Sequence, residues 1–239
     1  MRFLRNILAY LLAVALILLL FVPVLVVSGL CRYDKFLFTL SRGVIRIVFK
    51  VVGVRPRVRG SAAIDFSRPM VLVCNHLSNL DGPLLFSALP CNPRVLIKSE
   101  ARKLPLIGLV LKLAGFVFVD RKNPPRRQEA LNAAVEMIKK KRHALLVFPE
   151  GTRSRSGQPR DFKKGGFKIA LLAGVPVLPV KISGSHALMP PGRILIQAGP
   201  VDIELFPPMD LAGLQESDLP AWIRNLQQTI YQEGKHEVH

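Results

Sequence analysis

Acidic residues are scarce in this chain, because 16 Asp and Glu stand against 34 Lys and Arg and leave a formal net charge of +18 over 239 residues. So basic a chain points to a polyanionic partner: nucleic acid, an anionic membrane surface or a phosphorylated substrate. Nucleic-acid binders usually gather their basic residues into one patch beside exposed aromatic side chains. Here Lys and Arg are spread from Arg2 to Lys235, and the single Trp is Trp222. The sequence therefore favours a lipid or phosphate partner and no nucleic acid.

Cysteine is rare as well, with only Cys31, Cys74 and Cys91. They form no CxxC pair and have no His partner at metal-ligand spacing, so we expect neither a disulfide framework nor a metal site. An odd, scattered set fits a reducing compartment such as the cytoplasm, with the thiols buried as small apolar groups. His236 and His239 stand at a polar chain end, where we expect a flexible tail rather than a metal site.

Charged residues are absent from Ile7 to Leu30, near the N-terminus. A run of about 24 apolar residues is long enough to cross a bilayer as a helix. It is also longer than the apolar region of a cleaved signal peptide. Pro23 favours a break in the helix, so a spanning helix and a re-entrant segment both remain open. The run predicts attachment to a membrane in either form.

A second pattern follows over residues 35–52. Apolar residues recur at helical spacing, and Arg42, Arg46 and Lys50 recur every four residues on another stripe. A basic amphipathic helix of this kind lies in the lipid headgroup layer, with its cations on lipid phosphates. The alternative is a core helix with a solvated basic face. We predict membrane-anchoring helices over residues 1–53 and an α/β domain over residues 54–239.

After Gly53, short β-rich runs alternate with helical patterns. The predicted strands are Arg55–Arg59, Met70–Cys74, Arg94–Ile97, Phe116–Val119, Ala144–Phe148, Val177–Ser183, Ile194–Gln197 and Val201–Leu205. The predicted helices are Asp81–Leu89, Lys103–Ala114, Arg127–Lys141, Gly165–Ala173 and Leu219–Gln232. This alternation predicts an α/β fold with a mixed, largely parallel sheet flanked by helices. Ligands of such sheets gather outside the carboxyl ends of the strands.

The first motif with chemistry is Asn75-His76-x4-Asp81, which follows the predicted strand Met70–Cys74. Histidine suits proton transfer near neutral pH. A nearby carboxylate can bind one imidazole nitrogen, which fixes the tautomer and stabilises the cation that forms. Asp81 can also cap the helix in which Pro83 occupies the first turn, and the two roles are compatible. The pair alone is a weak signal.

The second motif is Phe148–Ser154 (FPEGTRS), which leaves the next apolar strand at what we expect to be the same sheet edge. Arg153 offers a planar fork of donors that matches a phosphate. Glu150 can accept a hydrogen bond from a substrate hydroxyl or hold Arg153 in place. A surface turn with a solvated ion pair is an equally good interpretation of this motif by itself.

The motifs together resemble those of the glycerolipid acyltransferase family, in particular the bacterial 1-acylglycerol-3-phosphate acyltransferases. All four sequence blocks of that family occur in order: Asn75-His76-x4-Asp81, Gly115–Arg121 (GFVFVDR), Phe148–Arg153 (FPEGTR) and Val175–Pro179 (VPVLP). The segment Phe162–Gly165 (FKKG) is similar as well. The resemblance covers approximately residues 55–200, and chance does not produce such an ordered set.

The resemblance implies a catalytic role for two residues and a substrate-binding role for a second group. His76 is implied to act as general base on the free glycerol hydroxyl, oriented by Asp81, so that the oxygen attacks the thioester directly. Arg121 and Arg153 are implied to hold the phosphate of the acceptor. The remaining implied acceptor-binding residues are Glu150, Gly151 and Thr152.

The implied donor is acyl-CoA or acyl carrier protein, and the implied acceptor is lysophosphatidic acid at the anionic surface of the bacterial inner membrane, on its cytoplasmic side. Candidates for a donor-binding or structural role are Asn75, Lys98, Lys103 and Pro179. The reaction requires no metal and no organic cofactor. Acyl-chain length and oligomeric state stay open.

Three other functions remain as alternatives. A relative that acylates another lyso-lipid, such as lyso-ornithine lipid, needs the same blocks, although a phosphomonoester depends most on the two arginines. A covalent hydrolase with Cys74 or Ser78 as nucleophile is disfavoured, because no G-x-S-x-G elbow is present. A non-catalytic basic membrane adaptor makes no use of His76.

Overall fold

The computed structural model describes residues 3–12, 15, 34–60, 62–104, 107–141, 143–158 and 160–232. Most of the predicted apolar segment 7–30, with Pro23, lies outside the described residues, as do Cys31 and the two C-terminal histidines. Residues 3–12 are helical. No helix in the described part of the chain is both long enough and apolar enough to span a membrane.

The remaining described chain forms seven strands, seven α-helices and one 3₁₀ turn. The strands are β1 (Val54–Arg59), β2 (Val71–Cys74), β3 (Arg94–Lys98), β4 (Val117–Val119), β5 (Leu145–Val147), β6 (Val177–Ser183) and β7 (Gly199–Leu205). The helices are α1 (Asp34–Val52), α2 (Asp81–Ala88), α3 (Ile107–Leu113), α4 (Pro124–Lys141), α5 (Gly165–Ala173), α6 (Ser185–Leu188) and α7 (Leu219–Gln232). The 3₁₀ turn is Ser99–Lys103.

The strands form one sheet in the order β1-β7-β6-β2-β5-β3-β4. The five strands from β6 to β4 are parallel to one another. Strand β7 pairs antiparallel with β6, and β1 pairs parallel with β7, so the two strands at this end run the other way. The predicted α/β fold with a mixed, largely parallel sheet is confirmed.

Helices cover both faces of the sheet because its central strands are apolar on both sides. In β2, Leu72 and Cys74 point into one core, which α1 and α2 cover, and Val71 and Val73 point into the other. The second core is covered by α4, α5 and α7. Its fully buried side chains include Ala134, Ile138, Phe167, Leu219, Leu226 and Ile230.

Helix α1 confirms the predicted amphipathic helix, but its arginines have protein partners. Arg42 donates to the Phe86 and Cys91 carbonyls at 3.0 and 2.9 Å, and Arg46 donates to the Ser87 carbonyl at 2.9 Å. These carbonyls lie at or just beyond the C-terminus of α2, where the last helix carbonyls lack partners within the helix. Arg42 and Arg46 thus fasten α1 to the domain, and the binding of this stripe to lipid phosphates stays a prediction.

One predicted strand is absent, and one predicted helix is divided. Ile194–Gln197 is an extended loop rather than a strand, because its neighbour is a side chain: the Asn6 amide donates to the Ile196 carbonyl at 2.9 Å and accepts from its N–H at 2.8 Å. The predicted helix Lys103–Ala114 is divided between the 3₁₀ turn and α3. The other predicted strands and helices agree with the structure within about three residues.

Candidate active site

The two sequence motifs meet at the carboxyl edge of the sheet because their strands are neighbours. The His76 motif follows β2, and the segment Phe148–Ser154 follows β5, which pairs with β2 in parallel. The main chain joins the motifs directly, since the Ser154 N–H donates to the His76 carbonyl at 3.2 Å. Arg121 leaves β4 at the same edge and reaches Gly151, to whose carbonyl its guanidinium donates.

The imidazole of His76 is held by a fully buried carboxylate. Asp81 Oδ2 lies 2.9 Å from His76 Nδ1 and also accepts the N–H groups of Leu77 and Ser78, both at 2.8 Å. Both N–H groups belong to the turn before α2, so one oxygen caps this turn and orients the ring. The predicted pairing of His76 with Asp81 is present in the structure.

The second ring nitrogen of His76, Nε2, is the one that does not face Asp81. Phe148 stacks on the imidazole with 4.0 Å between the ring centroids, and the His76 side chain keeps 21 % of its surface exposed. Among the described residues, none binds Nε2. Because Nδ1 is the nitrogen that faces Asp81, a neutral ring with its proton there leaves a lone pair on Nε2 for an incoming hydroxyl.

Glu150 binds the main chain of His76. Its Oε1 accepts the His76 N–H at 3.0 Å and the Tyr231 hydroxyl at 3.1 Å, and the residue is 1 % exposed. Burial raises the pKa of the Glu150 carboxyl, while these two hydrogen bonds favour its charged form. Burial next to this carboxylate also raises the pKa of Tyr231. Oε2 of Glu150 is buried without a partner among the described residues and is free to accept a hydrogen bond.

Two cations approach Gly151 from different elements. Gly151 has a φ of +75°, and a Cβ placed on it would lie 3.3 Å from Arg121 Nη1 and 3.1 Å from Lys163 Nζ. The main-chain N–H of Lys163 donates to the Pro149 carbonyl at 2.9 Å, which fixes the residue beside the motif. A side chain at position 151 would fill the space between the two cations, and glycine leaves it open. We call these three residues the Arg121 site.

The rest of the loop lines a shallow pocket that is open to solvent, which we call the arginine pocket. Its cavity of about 350 Å³ is lined by Thr152, Arg153, Ser154, Arg155, Ser156, Gln158 and Arg160. Every lining residue is polar or cationic, and none carries a carboxylate. Neither Arg121 nor Lys163 lines it, and the joint binding of one phosphate by Arg121 and Arg153 stays a prediction.

The four residues predicted to have a donor-binding or structural role contact other parts of the protein or lie on its surface. The Asn75 side chain donates to the Ile182 carbonyl at 2.9 Å and accepts its N–H at 2.7 Å, which ties the end of β2 to β6. Pro179 is buried inside β6 opposite Val73. Lys98 pairs with Glu100 on the surface at 2.7 Å, and Lys103 is exposed at the end of the 3₁₀ turn. No described contact joins either lysine to His76.

Cys74 and Ser78 are poorly placed to act as nucleophiles. Cys74 is fully buried, and burial together with the nearby Asp81 and Glu150 carboxylates raises the pKa of its thiol well above the usual range. The Ser78 hydroxyl is also buried and donates to the Met189 carbonyl at 2.7 Å. His76 forms a hydrogen bond with neither side chain in the described structure, which argues against covalent catalysis.

Sequence reasoning missed three residues of this site: Phe148, Lys163 and Tyr231. The first two lie in segments that the sequence marked as family-like, and their adjacency to the motif was the available signal. Tyr231 lies on α7, 81 positions after Glu150, and nothing in the local sequence points to it.

Comparison with known proteins adds independent information. A family model described as Acyltransferase matches residues 55–183, more than half of the chain. The 1-acyl-sn-glycerol-3-phosphate acyltransferase of Limnanthes douglasii is 29% identical over 69% of this chain and 58% of its own length. The alpha isoform of Ovis aries is 30% identical over 76% of this chain and 64% of its own length. The chain thus matches less than two thirds of the length of these curated relatives.

A solved structure matches the whole chain. The crystal structure of the 1-acyl-sn-glycerophosphate acyltransferase PlsC from Thermotoga maritima superposes with a TM-score of 0.80 at 30% sequence identity, and the match covers 100% of both chains. The common architecture therefore includes β7 and α7, which lie outside the matched family model.

Proposed function

Because the chain belongs to the acyltransferase family, we propose that it transfers a fatty acyl group from a thioester donor to the free hydroxyl of a lysophosphatidic acid, giving phosphatidic acid. The observation that carries the proposal is the geometry of His76, with Nδ1 bound to the buried Asp81 and Nε2 open. The names of the relatives support the acceptor, since those reported above are acyltransferases of 1-acyl-sn-glycerol-3-phosphate or LPA.

The reaction proceeds by direct attack. Nε2 of His76 takes the proton of the acceptor hydroxyl as the oxygen attacks the thioester carbonyl, and Asp81 stabilises the imidazolium that forms. The tetrahedral intermediate collapses, the carbon–sulfur bond breaks, and His76 returns the proton to the leaving thiolate. No acyl-enzyme is formed, which agrees with the buried positions of Cys74 and Ser78.

The cations around Glu150 bind the acceptor. Glu150 itself is buried, so it acts on the acceptor indirectly, through its hydrogen bond to the His76 N–H. Arg121 next to Gly151 supplies a planar fork for a phosphate, and Thr152 and Arg153 continue the positive surface into the loop. A phosphomonoester satisfies this set better than a neutral headgroup.

Attachment to a membrane is part of the proposal, with the enzyme on the cytoplasmic face of a bacterial inner membrane. The described part of the N-terminal helix has a buried side, with Asn6 and Ala9, and an apolar side that no described residue covers. On that side Phe3, Leu4, Leu8 and Leu11 are each at least 60% exposed. Apolar surface of this kind fits a lipid layer, and the net charge of +18 favours an anionic one.

The test is acyl transfer by the purified protein in uncharged detergent micelles, from a labelled acyl thioester to lysophosphatidic acid. We expect phosphatidic acid from the wild type and a loss of at least 100-fold in kcat/KM for His76→Ala, since general-base catalysis contributes about 10²–10⁴-fold. If the wild type acylates only a phosphate-free lyso-lipid, the proposed acceptor is wrong and the lyso-lipid takes its place. Full activity of the variant would contradict the mechanism, and thioester hydrolysis without transfer would indicate a hydrolase.

A further inference from the structure

The last helix of the domain binds the loop that carries most of the proposed acceptor-binding residues. This loop connects β5 with α5 over residues 148–164 and contains no helix or strand among its described residues. We call it the β5–α5 loop. Two side chains of α7 reach it, Tyr231 near its start and Gln227 near its end. Resting on the proposed function, we propose that Gln227 is a positioning residue, through which α7 holds this loop in the arrangement that binds the acceptor.

Gln227 binds the main chain of the loop with both ends of its amide. Its Oε1 accepts the Phe162 N–H at 3.2 Å, and its Nε2 donates to the Arg160 carbonyl at 3.3 Å. Exchanging the two ends of the amide would set donor against donor and acceptor against acceptor, so the two contacts fix its direction. Phe162 is buried, and a main-chain group in such a place needs a partner. An amide suits this position because an ionised carboxylate can only accept and an apolar side chain does neither.

Tyr231 binds the other end of the loop from the same side of α7. Its hydroxyl donates at 3.1 Å to Glu150 Oε1, the oxygen that also accepts the His76 N–H at 3.0 Å. Its ring centroid lies 6.0 Å from that of Phe162. Gln227 and Tyr231 are four residues apart, and side chains with that spacing are neighbours on a helix surface. One side of α7 therefore contacts the loop near both of its ends.

The position of α7 is set by its apolar side. Its buried residues recur at intervals of four, three and four positions and belong to the second core of the domain: Leu219, Ile223, Leu226 and Ile230. Gln227 and Tyr231 each directly follow one of these buried residues. The packing of the helix therefore fixes where the amide and the hydroxyl meet the loop. The matched family model ends at residue 183, so α7 adds to the site an element that the sequence motifs do not contain.

The loop has further contacts that do not involve α7. The Lys163 N–H donates to the Pro149 carbonyl at 2.9 Å, which joins its two ends, and the Ser154 N–H donates to the His76 carbonyl at 3.2 Å. A loop of this length without secondary structure of its own needs several such contacts to keep one arrangement. Removing Gln227 leaves these contacts and the reacting histidine in place, while the end of the loop loses its contacts with the amide. We therefore expect weaker binding of the acceptor and an unchanged chemical step.

The test compares two adjacent glutamines in the transfer assay. Gln228 is exposed and has no hydrogen bond in the described part of the structure. Gln228→Met is therefore the matched control for Gln227→Met, which keeps the size of the side chain and removes both polar contacts. For Gln227→Met we expect the KM for lysophosphatidic acid to rise by about 10-fold with kcat unchanged, because fewer molecules hold the loop in its binding arrangement and saturating acceptor restores that arrangement. Equal behaviour of the two variants, or a fall in kcat at unchanged KM, would overturn the proposal.

Gln227→Glu separates the hydrogen bonds of the amide from its packing. The ionised carboxylate can accept from the Phe162 N–H but cannot donate to the Arg160 carbonyl, whereas the protonated carboxyl can do both. The KM of this variant relative to that of the wild type should therefore fall as the pH is lowered, and the corresponding ratio for Gln227→Met should stay constant. A ratio that stays constant for both variants would contradict a role for the donor end of the amide.

Cleavage by trypsin separates failure of this inference from failure of the proposed function, because it requires no turnover. Trypsin cuts after arginine, and the loop contains Arg155 and Arg160. Since cleavage follows the population of the open loop, we expect it to be about 10-fold faster at these two bonds in Gln227→Met and unchanged in Gln228→Met. If this result is found in a protein that transfers no acyl group, the proposed function falls and the positioning of the loop stands. If the wild type is active and the loop is cut equally fast in both variants, the positioning is wrong and the proposed function stands.

Discussion

Replacing Asp81 with Asn should remove the negative charge beside His76 without changing which ring nitrogen of His76 carries the proton. In a Ser-His-Asp triad the same exchange costs about 10⁴-fold, because the new amide group donates to the imidazole and selects the wrong tautomer. Here Oδ2 of Asp81 also accepts the N–H groups of Leu77 and Ser78, both at 2.8 Å. Two main-chain donors require an oxygen at that position. The amide NH₂ must take the place of Oδ1, so His76 keeps its proton on Nδ1.

The loss should then be that of a charge alone. A hydrogen bond to a charged group contributes about 1.5–3 kcal/mol and a neutral one about 0.5–1.5 kcal/mol. The difference between these two energies, together with the lost stabilisation of the imidazolium by a negative charge, corresponds to a fall in kcat of about 10- to 100-fold. The amide nitrogen takes the place of Oδ1, which has no partner among the described residues. The free energy of unfolding should therefore fall by about 1–3 kcal/mol.

The assay is release of free thiol from acyl-CoA at saturating lysophosphatidic acid, with denaturant unfolding of the same samples. Asp81→Asn in a His76→Ala background is the control, and there it should have little further effect because the two residues act as a unit. A loss of about 10⁴-fold, equal to that of His76→Ala, would refute the argument that Leu77 and Ser78 set the direction of the amide.

Two further variants test the surroundings of this pair. Tyr231→Phe removes the hydroxyl that donates to Glu150. Because this bond favours the charged carboxylate, its loss raises the pKa of Glu150 further. In a profile of kcat/KM against pH, the variant should therefore lose activity at a higher pH than the wild type does as the pH is lowered. An unchanged acid limb would show that Glu150 need not be charged. Gly166→Ala places a Cβ 2.6 Å from Val147 Cγ1 between α5 and β5, and we expect a loss of about 1–3 kcal/mol in the free energy of unfolding. Gly165→Ala, whose Cβ would meet nothing within 4 Å, should cost nothing by the same denaturation measurement.

The order of sheet and helices could be predicted because each central strand is short, apolar and followed by a polar turn. Those turns also indicated the candidate site, since parallel neighbours end at one edge and bring their loops together. Ile194–Gln197 has the same alternating pattern but failed as a strand, because its hydrogen-bonding partner is the Asn6 side chain, 190 positions earlier. A local pattern does not show what will lie beside it.

Two contacts escaped prediction because they join distant parts of the sequence. The basic stripe of α1 was correctly placed on a helix, yet its Arg42 and Arg46 also bind carbonyls more than 40 positions away, which the stripe did not indicate. Tyr231 reaches Glu150 from a helix that carries no motif. Charge and amphipathic spacing describe what a helix can face, and the packing of α1 on α2 and of α7 on the sheet decides what it does face.

The reversal of β7 and β1 determines where the chain enters the domain. Because β7 runs against β6, it begins at the edge where β6 ends, and β1 begins beside it, with Val54 opposite Gly199. Both the end of α1 and the loop that binds Asn6 therefore lie on the side of the sheet where β2 delivers His76. Had β1 followed the direction of the majority, its first residue would stand at the opposite edge, about 20 Å away for a strand of six residues. The N-terminal helix that carries Asn6 is thus fastened at the edge of the sheet that carries His76, and the two strands in the minority direction place it there.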